Sequence, residues 1–190
     1  MKRILIILSL ILLSAHVHAA ATRAPAVIYE IEALAFKNTL PDLEGGELWT
    51  NQAKNRPDSA VTGAITLGDK TPAGAYFDAA ARALESSGHH PILARWRWQQ
   101  SAEAKSESKP VRITNDETQL TGGLRLYLSR FLYLDVDLML RETTKENAAV
   151  DASMLQKYHI DEHRRIKTSE INYFDHPKFG VLVRVTQVGK

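Results

Sequence analysis

The feature that most constrains the fold is an alternating stretch from Thr118 to Thr143, TQLTGGLRLYLSRFLYLDVDLMLRET. Aliphatic residues fall on alternate positions in its two halves: Leu120, Leu124, Leu126 and Leu128, then Leu132, Leu134, Val136, Leu138 and Leu140. Side chains on a strand point to opposite faces in turn, so each half predicts a strand with one buried face. The stretch therefore predicts a β-hairpin with a buried leucine face.

The same alternation predicts the register of the hairpin. A three-residue loop, 129–131, sets Leu128 opposite Leu132 and Leu126 opposite Leu134. It also sets Leu124 opposite Val136. A two-residue loop would split the apolar face, because a slip of one residue turns every side chain to the other side.

The outer face of the hairpin is polar and aromatic. In this register Arg125 lies opposite Asp135 and Tyr127 opposite Tyr133, with Asp137 further along. Such residues predict a groove for a polar ligand, with the face left open to solvent. Cross-strand pairing on a wet sheet explains them equally well without a ligand.

The first nineteen residues have the pattern of an export signal. Lys2 and Arg3 precede an apolar run at 4–13, and Val17-His18-Ala19 offers small residues for cleavage after Ala19. This run of ten residues is shorter than the roughly 20 that span a bilayer, which disfavours an uncleaved anchor. We expect a periplasmic protein with no membrane span after removal of the signal.

Composition excludes several classes of protein. The chain has no cysteine, which excludes disulfides, zinc–thiolate sites and thiol nucleophiles. Without Lys2 and Arg3, 22 basic residues balance 22 acidic ones, so a strongly basic face for nucleic acid is not expected. Residues 20–190 have the length of one domain.

We expect an α+β fold of two layers: about six strands, mostly antiparallel, in a sheet whose leucine face is covered by one main helix. Besides the hairpin, strands are predicted at 27–37, 92–99, 158–167 and 181–188, with a short strand at 111–114. The helix begins at Thr71-Pro72 and ends at Gly88. A short helical turn is predicted at 169–174. Residues 38–69 form a long loop, and 101–110 and 142–155 form flexible insertions.

Other polar residues have competing interpretations. Arg95 and Arg97 alternate with Trp96 and Trp98 on a predicted strand; the tryptophans share the core side, which turns the arginines to solvent. The basic run at 164–167 is typical of a solvated face. His89-His90 precedes a proline without further ligands, so no metal is expected.

Near the C-terminus, Glu170, Asp175 and His176 suggest acid–base chemistry, or polarisation of Ser169. A capped turn explains the same residues, and no Gly-x-Ser-x-Gly context is present. We favour the turn.

The stretches VIYEIEALAF, HPILARWRWQQ, GGLRLYLSRFLYLDVDLML and HRRIKTSEINYFDHPKFGVLVRV resemble the CsiV family of bacterial peptidoglycan-binding proteins. The most specific part is the C-terminal element RR-x-K-x-x-E-x-x-Y-x-D-H-P-x-F-G. Arg165, Glu170, Tyr173, Asp175 and His176 match it. The resemblance covers most of residues 27–188, apart from the two polar insertions. It implies a periplasmic protein that binds peptidoglycan and stimulates a bifunctional penicillin-binding protein, with a part in cell-wall biogenesis and cell shape.

We therefore expect a binding protein without catalytic residues or cofactors. Sugar faces suit tyrosine and tryptophan, and peptide carboxylates suit arginine. The alternatives are a wall hydrolase using Glu170 or Asp175 with His176, and an envelope scaffold acting through the 38–69 loop. The candidate ligand-binding residues are Arg95, Arg97, Arg125, Tyr127, Tyr133, Asp135, Arg165, Glu170, Tyr173, Asp175 and His176.

Overall fold

The computed structural model describes residues 27–40, 63–67, 75–142 and 156–189. In chain order its strands are β1 (Ile28–Lys37), β2 (Ile65–Thr66), β3 (Ile92–Ser101), β4 (Val111–Asn115), β5 (Leu120–Leu128), β6 (Leu132–Glu142), β7 (Gln156–Arg165), β8 (Ile171–His176) and β9 (Phe179–Gln187). Between β2 and β3, a 3-10 turn (Ala75–Phe77) leads into the helix α1 (Asp78–Ser86). No helix in these ranges is both long enough and apolar enough to cross a bilayer.

The strands form two sheets, where one sheet of about six strands was predicted. One has the order β3-β1-β9-β8 and the other the order β2-β4-β5-β6-β7. All neighbours pair antiparallel except β2 and β4, which are parallel. The antiparallel part of the prediction is confirmed, and the number of sheets was wrong.

The predicted register of the hairpin is confirmed. Leu128 pairs with Leu132, Leu126 with Leu134 and Leu124 with Val136. Gly122 on β5 permits a close approach of the two strands, because a Cβ at this position would lie 2.1 Å from the carbonyl oxygen of Asp137. The leucine alternation therefore determines the pairing of the two central strands.

The core lies between the two sheets. Leucines of β5 and β6 pack against the inner residues of β1, β3 and β9, including Trp96, Trp98 and Val183. Both tryptophans are buried, as predicted. The leucine face is thus covered by a second sheet, and burial of apolar area on both inner faces stabilises the sandwich.

The helix lies elsewhere than predicted. Phe77 and Ala81 pack on Leu34, which points to the outer side of β1. Asp78 forms an ion pair with Arg95 of β3, and the backbone N–H of Tyr76 donates a 3.2 Å hydrogen bond to Glu32. Helix α1 therefore covers the outer face of the four-stranded sheet and not the leucine face.

The C-terminal segment also differs from its prediction. Residues 171–176 form β8, paired with β9 through a two-residue turn at 177–178, where a helical turn was expected. Ser169 adopts a left-handed φ of 68° and donates its backbone N–H to the carbonyl of Val185, 2.8 Å away. The polar residues that resemble a helix start therefore form a turn between strands.

Several predictions fall wholly or partly outside the described residues: the export signal, the Thr71-Pro72 start of the helix, and most of the 38–69 and 142–155 segments. Residues 101–110 are described. Ser101 ends β3, and residues 102–110 form a loop joined to the hairpin by a 2.8 Å hydrogen bond from the N–H of Leu128 to the carbonyl of Glu103. The flexibility of this loop stays a prediction.

Candidate functional site

The outer face of the five-stranded sheet carries two rows of charged side chains. Arg125, Asp135 and His163 lie side by side on β5, β6 and β7. In the next row Gly123 lies between Arg112 and Asp137, and Asp137 lies opposite Asp161. The pairing register sets the residues of both rows on one face of the sheet.

Asp135 is the centre of the first row. It accepts a 3.0 Å hydrogen bond from Nε of Arg125, and Nδ1 of His163 lies 2.5 Å from its other oxygen. In the second row, Nε2 of His159 lies 2.7 Å from Asp137. Each aspartate thus has a fixed orientation, because a side chain on an adjacent strand contacts its carboxylate.

Three rings lie next to the first row. The rings of Tyr127, Tyr133 and His163 are nearly parallel, with centroids 5.1–5.9 Å apart. Tyr127 is only 3% exposed, and the ammonium of Lys105 lies 5.2 Å from its ring centroid. The prediction of a wholly open face was therefore wrong at Tyr127, whose ring is covered.

The 102–110 loop and the sheet enclose a cleft of about 570 Å³. Its lining includes Lys105, Lys109, Gly123, Arg125, Asp135, Asp137, Asp161 and His163. Gly123 contributes no side chain to the floor, which leaves room between Arg112 and Asp137. The cleft accommodates a small polar ligand and offers it charges of both signs.

The cleft brings together only part of the predicted set. Arg125 and Asp135 line it, and Tyr127 and Tyr133 lie beside it. Lys105, Lys109 and His163 were missed. The alternation of β7 already turned His163 outward, but its proximity to Asp135 depends on the β6–β7 register, which no pattern in the chain predicted.

Arg95 and Arg97 lie on the outer face of the other sheet. Arg95 pairs with Asp78 of α1, and Arg97 pairs with Glu30 of β1 at 2.7 Å. The hydrogen bond from Arg97 lowers the pKa of Glu30 and raises that of Arg97. Both arginines therefore hold neighbouring elements together, away from the cleft.

The residues of the C-terminal element are spread over the molecule. The guanidinium of Arg165 lies 3.5 Å from the ring centroid of Phe131 in the hairpin loop. Glu170 forms an exposed 3.3 Å ion pair with Lys167. His176 lies at the opposite end of β8 from Glu170, roughly 20 Å away at the rise of a strand.

Asp175 and His176 point to opposite faces of β8, because adjacent residues on a strand alternate. His176 packs near Tyr158 and Phe179, and its Nδ1 accepts a 3.1 Å hydrogen bond from the N–H of Lys178. Burial lowers the pKa of His176. The arrangement does not join Glu170, Asp175 and His176 into one acid–base group.

Tyr173 lines a second, apolar groove of about 410 Å³ on the outer face of the four-stranded sheet. Its ring is stacked on Phe36 with a centroid distance of 6.2 Å, and Leu84, His90 and Leu182 complete much of the lining. Gly180 lies under both rings, since a Cβ there would be 2.7 Å from each. This groove has few polar groups with which to hold a charged ligand.

Within the described ranges, no group of three or more His, Asp or Glu is arranged to hold a metal ion. A family model described as "Peptidoglycan-binding protein, CsiV" matches residues 70–188, which is 119 of the 190 residues. The matched region contains the 102–110 loop and every strand that lines the cleft. No curated protein and no solved structure matches the chain.

Proposed function

The chain belongs to the CsiV family of peptidoglycan-binding proteins, and from this membership we propose that it binds peptidoglycan through the cleft on the five-stranded sheet. Binding takes place in the periplasm, where the predicted signal at 1–19 sends the protein. The protein is a binding and regulatory protein, not an enzyme. It modulates a wall synthase, a bifunctional penicillin-binding protein.

The observation that supports the cleft is its set of charges on a rigid floor. Asp135 and Asp137 have partners on adjacent strands, whereas Lys105 and Lys109 have no carboxylate partner within the described part of the chain. Charged groups fixed by a sheet recognise a charged polymer without much ordering of side chains. The apolar groove at Tyr173 lacks such groups.

Co-sedimentation with purified sacculi tests the proposal. The wild-type protein is expected in the pellet at low salt, with retention falling as salt is added, because screening weakens exposed charge interactions. The variant K105Q/K109Q should be retained less. The control R82Q/K167Q removes two exposed charges that do not line the cleft and should behave as wild type.

Two outcomes contradict the proposal. If the wild-type protein stays wholly in the supernatant at low salt, it does not bind peptidoglycan. If K105Q/K109Q and the wild type are retained equally, peptidoglycan does not bind through the cleft.

Modulation of the synthase needs a separate measurement. The rate of glycan polymerisation by a purified bifunctional penicillin-binding protein is followed with and without this protein. A change in rate that saturates with added protein supports the proposal. An unchanged rate across the titration contradicts it while leaving peptidoglycan binding intact.

A further inference from the structure

The loop of the β5–β6 hairpin, 129–131, lies at one end of the sandwich, which we call the hairpin end. Backbone hydrogen bonds identify the other segments that meet there. The N–H of Val188, just after β9, donates to the carbonyl of Ile28 at the start of β1, 2.9 Å away. The N–H of Leu128, at the end of β5, donates to the carbonyl of Glu103, just after β3. Both sheets therefore contribute to the hairpin end.

Four large aliphatic side chains are exposed at the hairpin end. Val27, Ile28, Leu128 and Val188 are each 38–42% exposed. Clusters of exposed apolar residues mark surfaces that contact a membrane or another protein. The charges beside them distinguish between these two partners.

Two arginines of the hairpin end lie over one aromatic ring. The guanidinium carbon of Arg130 is 5.4 Å from the ring centroid of Phe131, and that of Arg165 is 3.5 Å from it. Stacking on a ring uses the face of a guanidinium and leaves the N–H donors at its edge available. Because both arginines are exposed, these donors can reach an anion outside the protein.

The carboxylates on the adjoining segments do not neutralise these arginines. Four of them each contact another side chain: Glu103 with Ser101, Glu162 with Arg164, Glu170 with Lys167, and Asp135 with Arg125 and His163. Among the residues that the structure describes, Arg130 and Arg165 have no ion pair with a carboxylate. Two positive charges are therefore left for an external partner.

Exposed apolar groups beside unpaired arginines are typical of a surface that lies on an anionic bilayer. The aliphatic groups enter the boundary between headgroups and acyl chains, and the arginines bind phosphates. A layer of lipid phosphates satisfies both arginines without matching the positions of particular carboxylates. This favours a bilayer over a protein partner.

We propose that the hairpin end docks on a bilayer surface that carries anionic phospholipids, with Leu128 in the headgroup boundary and Arg130 and Arg165 on lipid phosphates. The inference does not depend on peptidoglycan binding. Arg125 of the cleft lies three residues before Leu128 on β5, roughly 10 Å away at the rise of a strand. The protein can then contact a membrane with its end and the wall with the outer face of the five-stranded sheet.

Sedimentation with lipid vesicles tests the proposal. The protein is used without residues 1–19, because the apolar run of the predicted export signal would itself bind lipid. It is expected to bind vesicles of phosphatidylcholine and phosphatidylglycerol in equal parts, and to bind phosphatidylcholine alone at least tenfold more weakly. Failure to bind the anionic vesicles, or equal binding to both kinds, overturns the proposal.

The arginines are tested together. R130Q/R165Q should bind the anionic vesicles at least tenfold more weakly than the wild type, because each basic residue near an anionic surface contributes roughly a factor of five. The control R82Q/R112Q removes two exposed arginines that lie away from the hairpin end and should bind as the wild type does. Equal binding of R130Q/R165Q and the wild type overturns the proposal.

The apolar contact has a matched control in a second leucine. Leu128→Ala should weaken vesicle binding severalfold, since less apolar surface enters the bilayer. Leu40, 44% exposed, follows β1 at the opposite end of the sandwich, and Leu40→Ala should leave binding unchanged. Equal effects of the two substitutions overturn the placement of Leu128.

A second copy of the chain is the alternative occupant of the hairpin end. Analytical ultracentrifugation without lipid measures self-association. The wild type and R130Q/R165Q are expected to have the same oligomeric state. A wild-type dimer that R130Q/R165Q does not form, with no binding of either protein to vesicles, overturns the proposal in favour of a second copy.

Discussion

Arg125 and Asp135 lie directly opposite each other on β5 and β6, with Nε of the arginine 3.0 Å from a carboxylate oxygen of the aspartate. The other oxygen of Asp135 contacts His163 of β7. One carboxylate therefore joins three adjacent strands on the face that carries the cleft. This link fixes the floor before any ligand arrives.

A double-mutant cycle on Arg125→Ala and Asp135→Ala should give a coupling energy of about 0.2–1 kcal/mol, the range for opposite charges across strands. Both side chains are partly exposed, which keeps the value modest. Urea unfolding of the four proteins measures it. The Lys167–Glu170 pair, which is much more exposed, is the control and should show coupling near zero. A coupling energy near zero for the Arg125–Asp135 pair would contradict this link between the strands.

The second prediction concerns the stability contributed by two leucines of β5. Leu126 is 1% exposed and Leu128 is 42% exposed, although they are two residues apart on the same side of one strand. Leu126→Ala should lower the free energy of unfolding by about 2–5 kcal/mol, because it leaves a cavity between the sheets. Leu128→Ala should lower it by less than about 1 kcal/mol. Similar losses in urea titrations would contradict the observed packing.

Gly122 supports the pairing of β5 and β6 by its lack of a side chain. Gly122→Ala places a Cβ against the carbonyl of Asp137 and should cost about 3 kcal/mol or more. Gly88→Ala is the matched control: its φ of 72° is also left-handed, but its Cβ meets nothing within 4 Å. Its cost should be about 1–2 kcal/mol, from backbone strain alone. Equal costs by thermal or urea unfolding would exclude a clash at Gly122.

His176 predicts a dependence of stability on pH. Burial, and to a lesser extent Lys178 and His159, lower the pKa of its imidazole in the folded protein. The unfolded chain then binds the proton more readily, so this contribution is complete above the ordinary value of about 6.5. It is lost as pH falls from there through the lower pKa of the folded state.

The free energy of unfolding should therefore fall between pH 7.5 and pH 5.5, and His176→Asn should reduce that fall. Asparagine keeps an acceptor for the N–H of Lys178 but does not titrate. An identical pH dependence of the free energy of unfolding in the wild type and His176→Asn would show that His176 does not cause it.

The hairpin was predictable because its constraint is local. A slip of one residue between β5 and β6 would turn Leu124, Leu126 and Leu134 to water, so sequence alternation alone selects the register. The position of α1 was not predictable in this way. Both faces of β1 are partly apolar, and the alanine-rich side of the helix fits Leu34 on the outer face as well as the leucine face.

The cleft depends on contacts between distant segments. The polar composition of residues 101–110 predicted flexibility, but it contains no pattern for the hydrogen bond between Glu103 and Leu128. The burial of Tyr127 follows from that loop. Arg125, Tyr133 and Asp135 were identified from the hairpin alone, whereas Lys105, Lys109 and His163 required the fold.

The account's central claim is that peptidoglycan binds in the cleft on the five-stranded sheet. The most direct test follows backbone amide chemical shifts of isotope-labelled protein as soluble muropeptides are added. We predict saturable changes at residues 105–109, at Gly123 and Arg125, and at Asp135 and Asp137. Changes confined to the apolar groove at Tyr173, with the cleft residues unmoved at saturation, would contradict the account.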